Sequence, residues 1–142
     1  MKDIDSLKNA VQKTLSDNKA KEIITIDLKN KSSIADYMVI ASGTSSKHIQ
    51  SLSEMVLKKF QNSGIAQSYI EGKESSDWKL IDGKDIIVHI FNPEKRKVYQ
   101  LERMWSELIP EERIIIWKKI ILFYFFYTYF VFLFSLKMFK QK

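Results

Sequence analysis

Cysteine is absent from the 142 residues, which removes disulfides, thiolate metal sites and a cysteine nucleophile together. The absence fits a reducing compartment. Histidine is scarce: His48 and His89 are the only two, too few for a histidine-rich metal centre and without an HExxH pair. The N-terminus reads Met-Lys-Asp-Ile-Asp and lacks the apolar stretch of a secretory signal, so a cytoplasmic location is expected. Internal repeats at solenoid periods are also missing. What remains is a chain of one ordinary domain's length, long enough to bury a core without staples.

The formal net charge of +6 is unevenly spread. Residues 1–108 carry 17 Lys/Arg against 15 Asp/Glu, whereas residues 109–142 carry 6 against 2. The N-terminal part is therefore close to neutral, and the basic total is no sign of nucleic-acid binding. Aromatics divide the same way, with 11 of the 18 lying after residue 108. Composition changes near Pro110, so the domain is expected over residues 1–107, with a hydrophobic, aromatic-rich tail over 108–142.

Hydrophobic periodicity predicts an amphipathic helix over 4–18, with Asp3 and Asp5 near its positive end. The β-branched residues of 22–28 predict a strand. Residues 36–42 form a short apolar run, as expected of a central strand buried on both faces. Gly43 to Ser46 then lead into a helix to about residue 63, with Thr44 or Ser45 as N-cap and Gly64 at C′. Strands follow over 65–70, 78–82 and 85–91, the last two joined by a tight Gly83-Lys84 turn. Pro93 suits the first turn of a closing helix in which Val98, Leu101, Met104, Trp105 and Leu108 keep helical spacing. The order α-β-β-α-β-β-β-α predicts an α/β fold with a mixed five-stranded sheet and packed helices.

Catalytic chemistry is hard to build from these residues. The Gly43-Thr44-Ser45-Ser46 junction presents free amides at a helix start, but it has one glycine and no P-loop lysine. A metal-dependent nucleotidyltransferase would also need paired carboxylates on a neighbouring strand, and residues 65–70 hold none. Ser45 and His48 lack an orienting third group. The strand-flanking Asp36, Asp77, Asp82 and Asp85 read as turn caps rather than an acid/base pair. Binding features are stronger. Trp78 opens a strand after a polar loop and is either core or an exposed anchor. Leu80 shares its face by the period of two. Residues 86–91 are apolar on both sides, so a face not fully covered by helices is expected to meet a partner.

Three stretches carry a family likeness. Asp36-Tyr37-Met38-Val39-Ile40 with Ser42-Gly43-Thr44-Ser45-Ser46-Lys47-His48 resembles one signature of the ribosomal silencing factor family, also called Iojap-related. Glu71-Gly72, Ser76-Asp77-Trp78 and Leu80-Ile81-Asp82 resemble a second. Asp85 to His89 with Arg96, Tyr99, Leu101, Glu102 and Trp105 resemble a third, and Lys31 to Ile34 add a weaker block. Together they span about residues 4–106. The resemblance implies a nucleotidyltransferase-like fold that has lost its metal site, with no cofactor and no enzymatic activity. It implies binding to the large ribosomal subunit through its protein fourteen, at the subunit interface. Joining of the small subunit would be blocked sterically, lowering translation when nutrients are scarce. Ribosome biogenesis is the alternative within the family. On this resemblance Asp77, Trp78 and Leu80 form the centre of the partner surface, with His89, Arg96 and Tyr99 next. Arg96 is expected at the rim, facing a carboxylate or an rRNA phosphate. A homodimer stays open.

The tail departs from the family pattern. Residues 120–136 are 17 positions without a charge, about 25 Å of helix and slightly short of the roughly 30 Å hydrocarbon core. Lysines bracket it at 118, 119, 137 and 140. It is read as a membrane anchor, as a helix packing on this or another chain, or as a non-native extension. The last is preferred, because the domain is complete without it.

Overall fold

Helix α1, Ile4–Asp17, forms because Leu7, Val11 and Leu15 recur every four residues and bury one stripe, while Asp3 caps its first turn. The computed structural model describes residues 3–106, within the first of the two units into which the chain divides, Met1–Leu108 and Ile109–Lys142. The readings of residues 108–142 lie outside the described residues. Among the described residues no helix is long and apolar enough to cross a membrane.

Strands β1 (Lys21–Asp27) and β2 (Tyr37–Ser42) are followed by α2 (Ser46–Asn62), β3 (Tyr69–Glu71), β4 (Trp78–Asp82) and β5 (Ile86–Phe91), then α3 (Pro93–Tyr99) and α4 (Leu101–Ser106). The five strands form one mixed sheet in the order β1-β2-β5-β4-β3. Only β2 and β5 run parallel, and the other pairs are antiparallel. Every residue of β2 and β5 is buried, which is why both read as unbroken apolar runs.

The sheet has two unlike faces. Helices α1 and α2 cover one, packing Leu15, Ile49, Leu52, Val56 and Phe60 against Val39, Ala41, Ile81, Val88 and Ile90. The other holds a smaller cluster of Leu28, Met38, Ile40 and Phe91, with Trp78, Leu101 and Trp105 packed at its margin.

Three expectations shift in detail. The strand expected over 65–70 shrinks to Tyr69–Glu71, because residues 64–65 close α2 instead. The Gly64 N–H donates to the Gln61 carbonyl and the Ile65 N–H to that of Phe60, a Schellman closure with Gly64 at φ 91°. The single closing helix is two, broken at Gln100, which takes the left-handed conformation (φ 46°, ψ 45°). The Gly83-Lys84 hairpin has a wider turn, with β5 starting at Ile86. There Lys84, not Gly83, takes the positive φ of 71°.

Gly83 is needed for space. A Cβ on it would lie 2.5–2.7 Å from three atoms of the buried Phe60 ring. Gly83→Ala is therefore expected to cost about 1–3 kcal/mol by overpacking. Urea titration measures this, and adding Phe60→Leu should recover part of the loss; an unchanged midpoint would show that the ring yields freely.

Candidate docking surface

The sheet face opposite α1 and α2 carries a four-ring cluster. Antiparallel register sets Trp78 opposite Phe91 and Leu80 opposite His89, so all four side chains project to the same side. The Trp78 ring stacks on Phe91 at 5.1 Å between centroids and on His89 at 5.8 Å. Tyr99, brought in by α3, tilts against Trp78 at 4.9 Å. Tyr99 remains 45% exposed and the adjacent Val98 74% exposed, while Trp78 and Leu80 are half-buried. The result is an amphipathic aromatic surface, built on two rigid strands and partly open to solvent.

Trp78 also makes the cluster's one polar link. Its indole Nε1–H donates to His89 Nδ1 at 3.1 Å. An indole N–H can only donate, so the neutral imidazole keeps its proton on Nε2. Burial pushes the His89 pKa down from 6.5 to about 4, since the charged form would lose its hydration.

The loop before Trp78 is tightly organised. The amides of Asp77 and Trp78 both donate to Ser75 Oγ, at 3.3 and 3.2 Å. The Asp77 carbonyl accepts from the Asn92 N–H at 2.7 Å, tying the loop to the start of α3. Among the described residues the half-buried Asp77 carboxylate has no hydrogen-bond or ion-pair partner. Gly72 adopts φ 75°, and a Cβ there would lie 2.8 Å from the Trp78 carbonyl oxygen.

Four of the six residues expected at a partner surface, Trp78, Leu80, His89 and Tyr99, come together here, and Asp77 directly precedes Trp78 in the loop. Arg96 does not. It is 6% exposed, and its guanidinium is spent inside the chain. Nε donates to the Glu102 carboxylate, Nη1 donates to Ser42 Oγ at 2.9 Å, and Glu22 lies 3.9 Å away. The rim position expected for Arg96 is thus corrected. The break at Gln100 turns α4 back so that Glu102 reaches Arg96, and nothing in a helical spacing announces that break.

Lys79, a charged residue within a strand, is 2% exposed. Its Nζ donates to the carbonyls of Gly72, Lys73 and Ser75 at 3.0, 2.6 and 2.9 Å. The period of two offered a signal, because Lys79 shares a strand face with the core residue Ile81.

The Gly43 turn is a cap in structure. Ser45 Oγ accepts from the His48 N–H at 3.1 Å, and the Thr44 N–H donates to His48 Nδ1 at 3.0 Å. His48 Nε2 then bonds the Asn18 carbonyl at 2.8 Å, joining the start of α2 to the end of α1. Strand β3, expected beside this turn in a nucleotidyltransferase reading, is the far edge of the sheet. Among the described residues no group of three or more His, Asp or Glu is placed to hold a metal ion.

Comparison with known proteins matches residues 1–119 to the family model described as ribosomal silencing factor during starvation. The Ribosomal silencing factor RsfS of Zymomonas mobilis is 47% identical over 104 residues, covering 73% of this chain and 78% of that protein. Its namesake from Halalkalibacterium halodurans is 36% identical over 93 residues, 66% of this chain and 80% of that one. A crystal structure of a Chromobacterium violaceum protein superposes with a TM-score of 0.69 at 30% identity, covering 77% of this chain and 91% of that chain.

Proposed function

The chain belongs to the ribosomal silencing factor family, and from that premise we propose that it represses translation by docking the Trp78 face onto the large ribosomal subunit. The partner in this reading is protein fourteen of that subunit, at the surface that meets the small subunit, and the domain then stands in the way of joining. The mechanism is steric. A domain of about 100 residues is some 25–30 Å across by compactness scaling, and about 800 Å² on each partner gives a specific interface. No bond is made or broken, so neither cofactor nor metal is invoked.

The observation that carries the reading is the half-covered aromatic cluster. Large rings held rigid on adjacent strands bury much area with little further entropy loss, which is the character of an interface hot spot. Trp78 is the anchor, Leu80 and Tyr99 extend the apolar contact, and the carboxylate of Asp77 is left to meet a donor on the partner. His89 serves from behind, holding the indole by its Nε1. Arg96 has no direct contact with the partner in this account.

Sedimentation through sucrose tests the reading. The full chain is expected to travel with free large subunits and to be missing from joined ribosomes. Trp78→Ala should weaken the association by about 2 kcal/mol or more, roughly thirtyfold. Because Trp78 is partly core, Tyr99→Ala, on a more exposed ring, serves as a second variant and should weaken binding to a lesser degree. Equal sedimentation of the original chain and both variants with large subunits would exclude this face.

A further inference from the structure

Lys79 combines three properties seldom found together. It is buried, its ammonium is saturated by three backbone carbonyls, and no carboxylate pairs with it among the described residues. Burying a charge without an opposite charge costs stability even when its hydrogen bonds are complete. The geometry points to what that cost secures. All three carbonyls belong to the loop that leads into Trp78, and the same loop is closed on itself by the Ser75 N–H donating to the Gly72 carbonyl at 2.9 Å. Ser75 Oγ in turn accepts the amides of Asp77 and Trp78. Gly72, at φ 75°, passes so near the Trp78 carbonyl that a Cβ on it would lie 2.8 Å from that oxygen. One ammonium on the helix-covered side of β4 therefore fixes the backbone that carries Asp77 and leads into Trp78 on the open side.

We infer that Lys79 is a positioning residue for docking: it touches no partner, and its caged ammonium holds the 72–77 loop in the binding-ready conformation before the partner arrives. This deepens the docking reading above and rests on it. Pre-ordering a loop raises affinity by removing the entropy that binding would otherwise spend on it. The cage is also specific to a primary ammonium, because its three protons are matched by three carbonyls on a long, flexible stem.

The absence of cysteine elsewhere in the chain provides a clean test. In the full chain, Lys79→Cys introduces a unique thiol. Alkylation with 2-bromoethylamine in denaturant, followed by refolding, restores an ammonium at the position of the lysine Nζ. The unmodified variant is expected to bind purified large subunits roughly tenfold more weakly. Amide exchange should accelerate in residues 72–78 while α2 stays protected, and aminoethylation should reverse both effects. Unaltered affinity and loop exchange in a folded Lys79→Cys chain would overturn the inference, as would a loss that aminoethylation fails to restore. If the Lys79 variants do not fold, Gly72→Ala strains the same loop without touching the charge. It must then show the same paired loss of binding and loop protection, and unchanged values refute the cage. Trp78→Ala runs in parallel: native affinity in that variant refutes the docking face, while loop exchange still judges the role of Lys79.

Discussion

Replacing Arg96 with methionine is expected to destabilise the domain by roughly 3–5 kcal/mol, towards the lower end of that range. Methionine fills much of the same volume, so the loss comes from polar groups left behind. Ser42, 1% exposed, loses the donor to its hydroxyl, and the Glu102 carboxylate keeps its charge without its nearest partner. Glu102 retains 27% side-chain exposure, and water therefore offsets part of the penalty. The consequence should be local as well as global. Arg96 joins α3 to the end of β2 and to α4, and α3 is the element that brings Tyr99 against Trp78. Urea unfolding measures the loss. The double variant Arg96→Met/Glu102→Gln should recover a measurable share of it, since no carboxylate is then stranded. Stability unchanged to within about 0.5 kcal/mol in the single variant would mean that the network contributes nothing net.

The second large effect is an acid weakness centred on His89. Its folded pKa, about 4, lies below its ordinary 6.5, so as pH falls the unfolded chain takes up the proton first. The contribution is whole above about pH 6.5 and drains away as pH drops to about 4, for a total of about 3 kcal/mol at most. His89→Asn offers an acceptor oxygen to the Trp78 indole without a titrating ring. Its stability should be lower at pH 7 but flatter between pH 6.5 and 4. Parallel acid limbs in the two proteins would remove His89 as the cause. Asp5 works in a different range. The Tyr37 hydroxyl, aided by Lys29 and Lys8, holds its carboxyl below the usual 3.8, so its own loss lies at still lower pH.

Much of the fold and of the candidate docking surface is legible because strand periodicity is short-range. The alternation in 78–82 is enough to put Trp78 and Leu80 on one side, His89 joins them only through the cross-strand register, and the Ser45 cap follows from residue type and place. Most of what escapes depends on contacts that no local pattern encodes. Gln100 is not a residue that advertises a left-handed turn, so one helix was expected where two stand, and Arg96 was set on the outside. Ile65 has strand character, but Gly64 spends it on closing α2. A lysine within a strand reads as solvated surface, and only the pairing of its neighbours with a covered sheet face turns Lys79 inward.

The central pairing of β2 with β5 has a further consequence, in time instead of space. As the chain is synthesised, β2 can pair at once with β1, but its other edge must wait until α2, β3 and β4 have all been made. The β4–β5 hairpin can close quickly from local contacts, whereas the parallel junction closes the longest loop in the sheet and is expected to form more slowly. Until Phe91 emerges, an apolar strand stands with one edge bare, open to mispairing with another nascent chain. A member of the ribosomal silencing factor family thus depends on a ribosome to deliver its central strand late and in order.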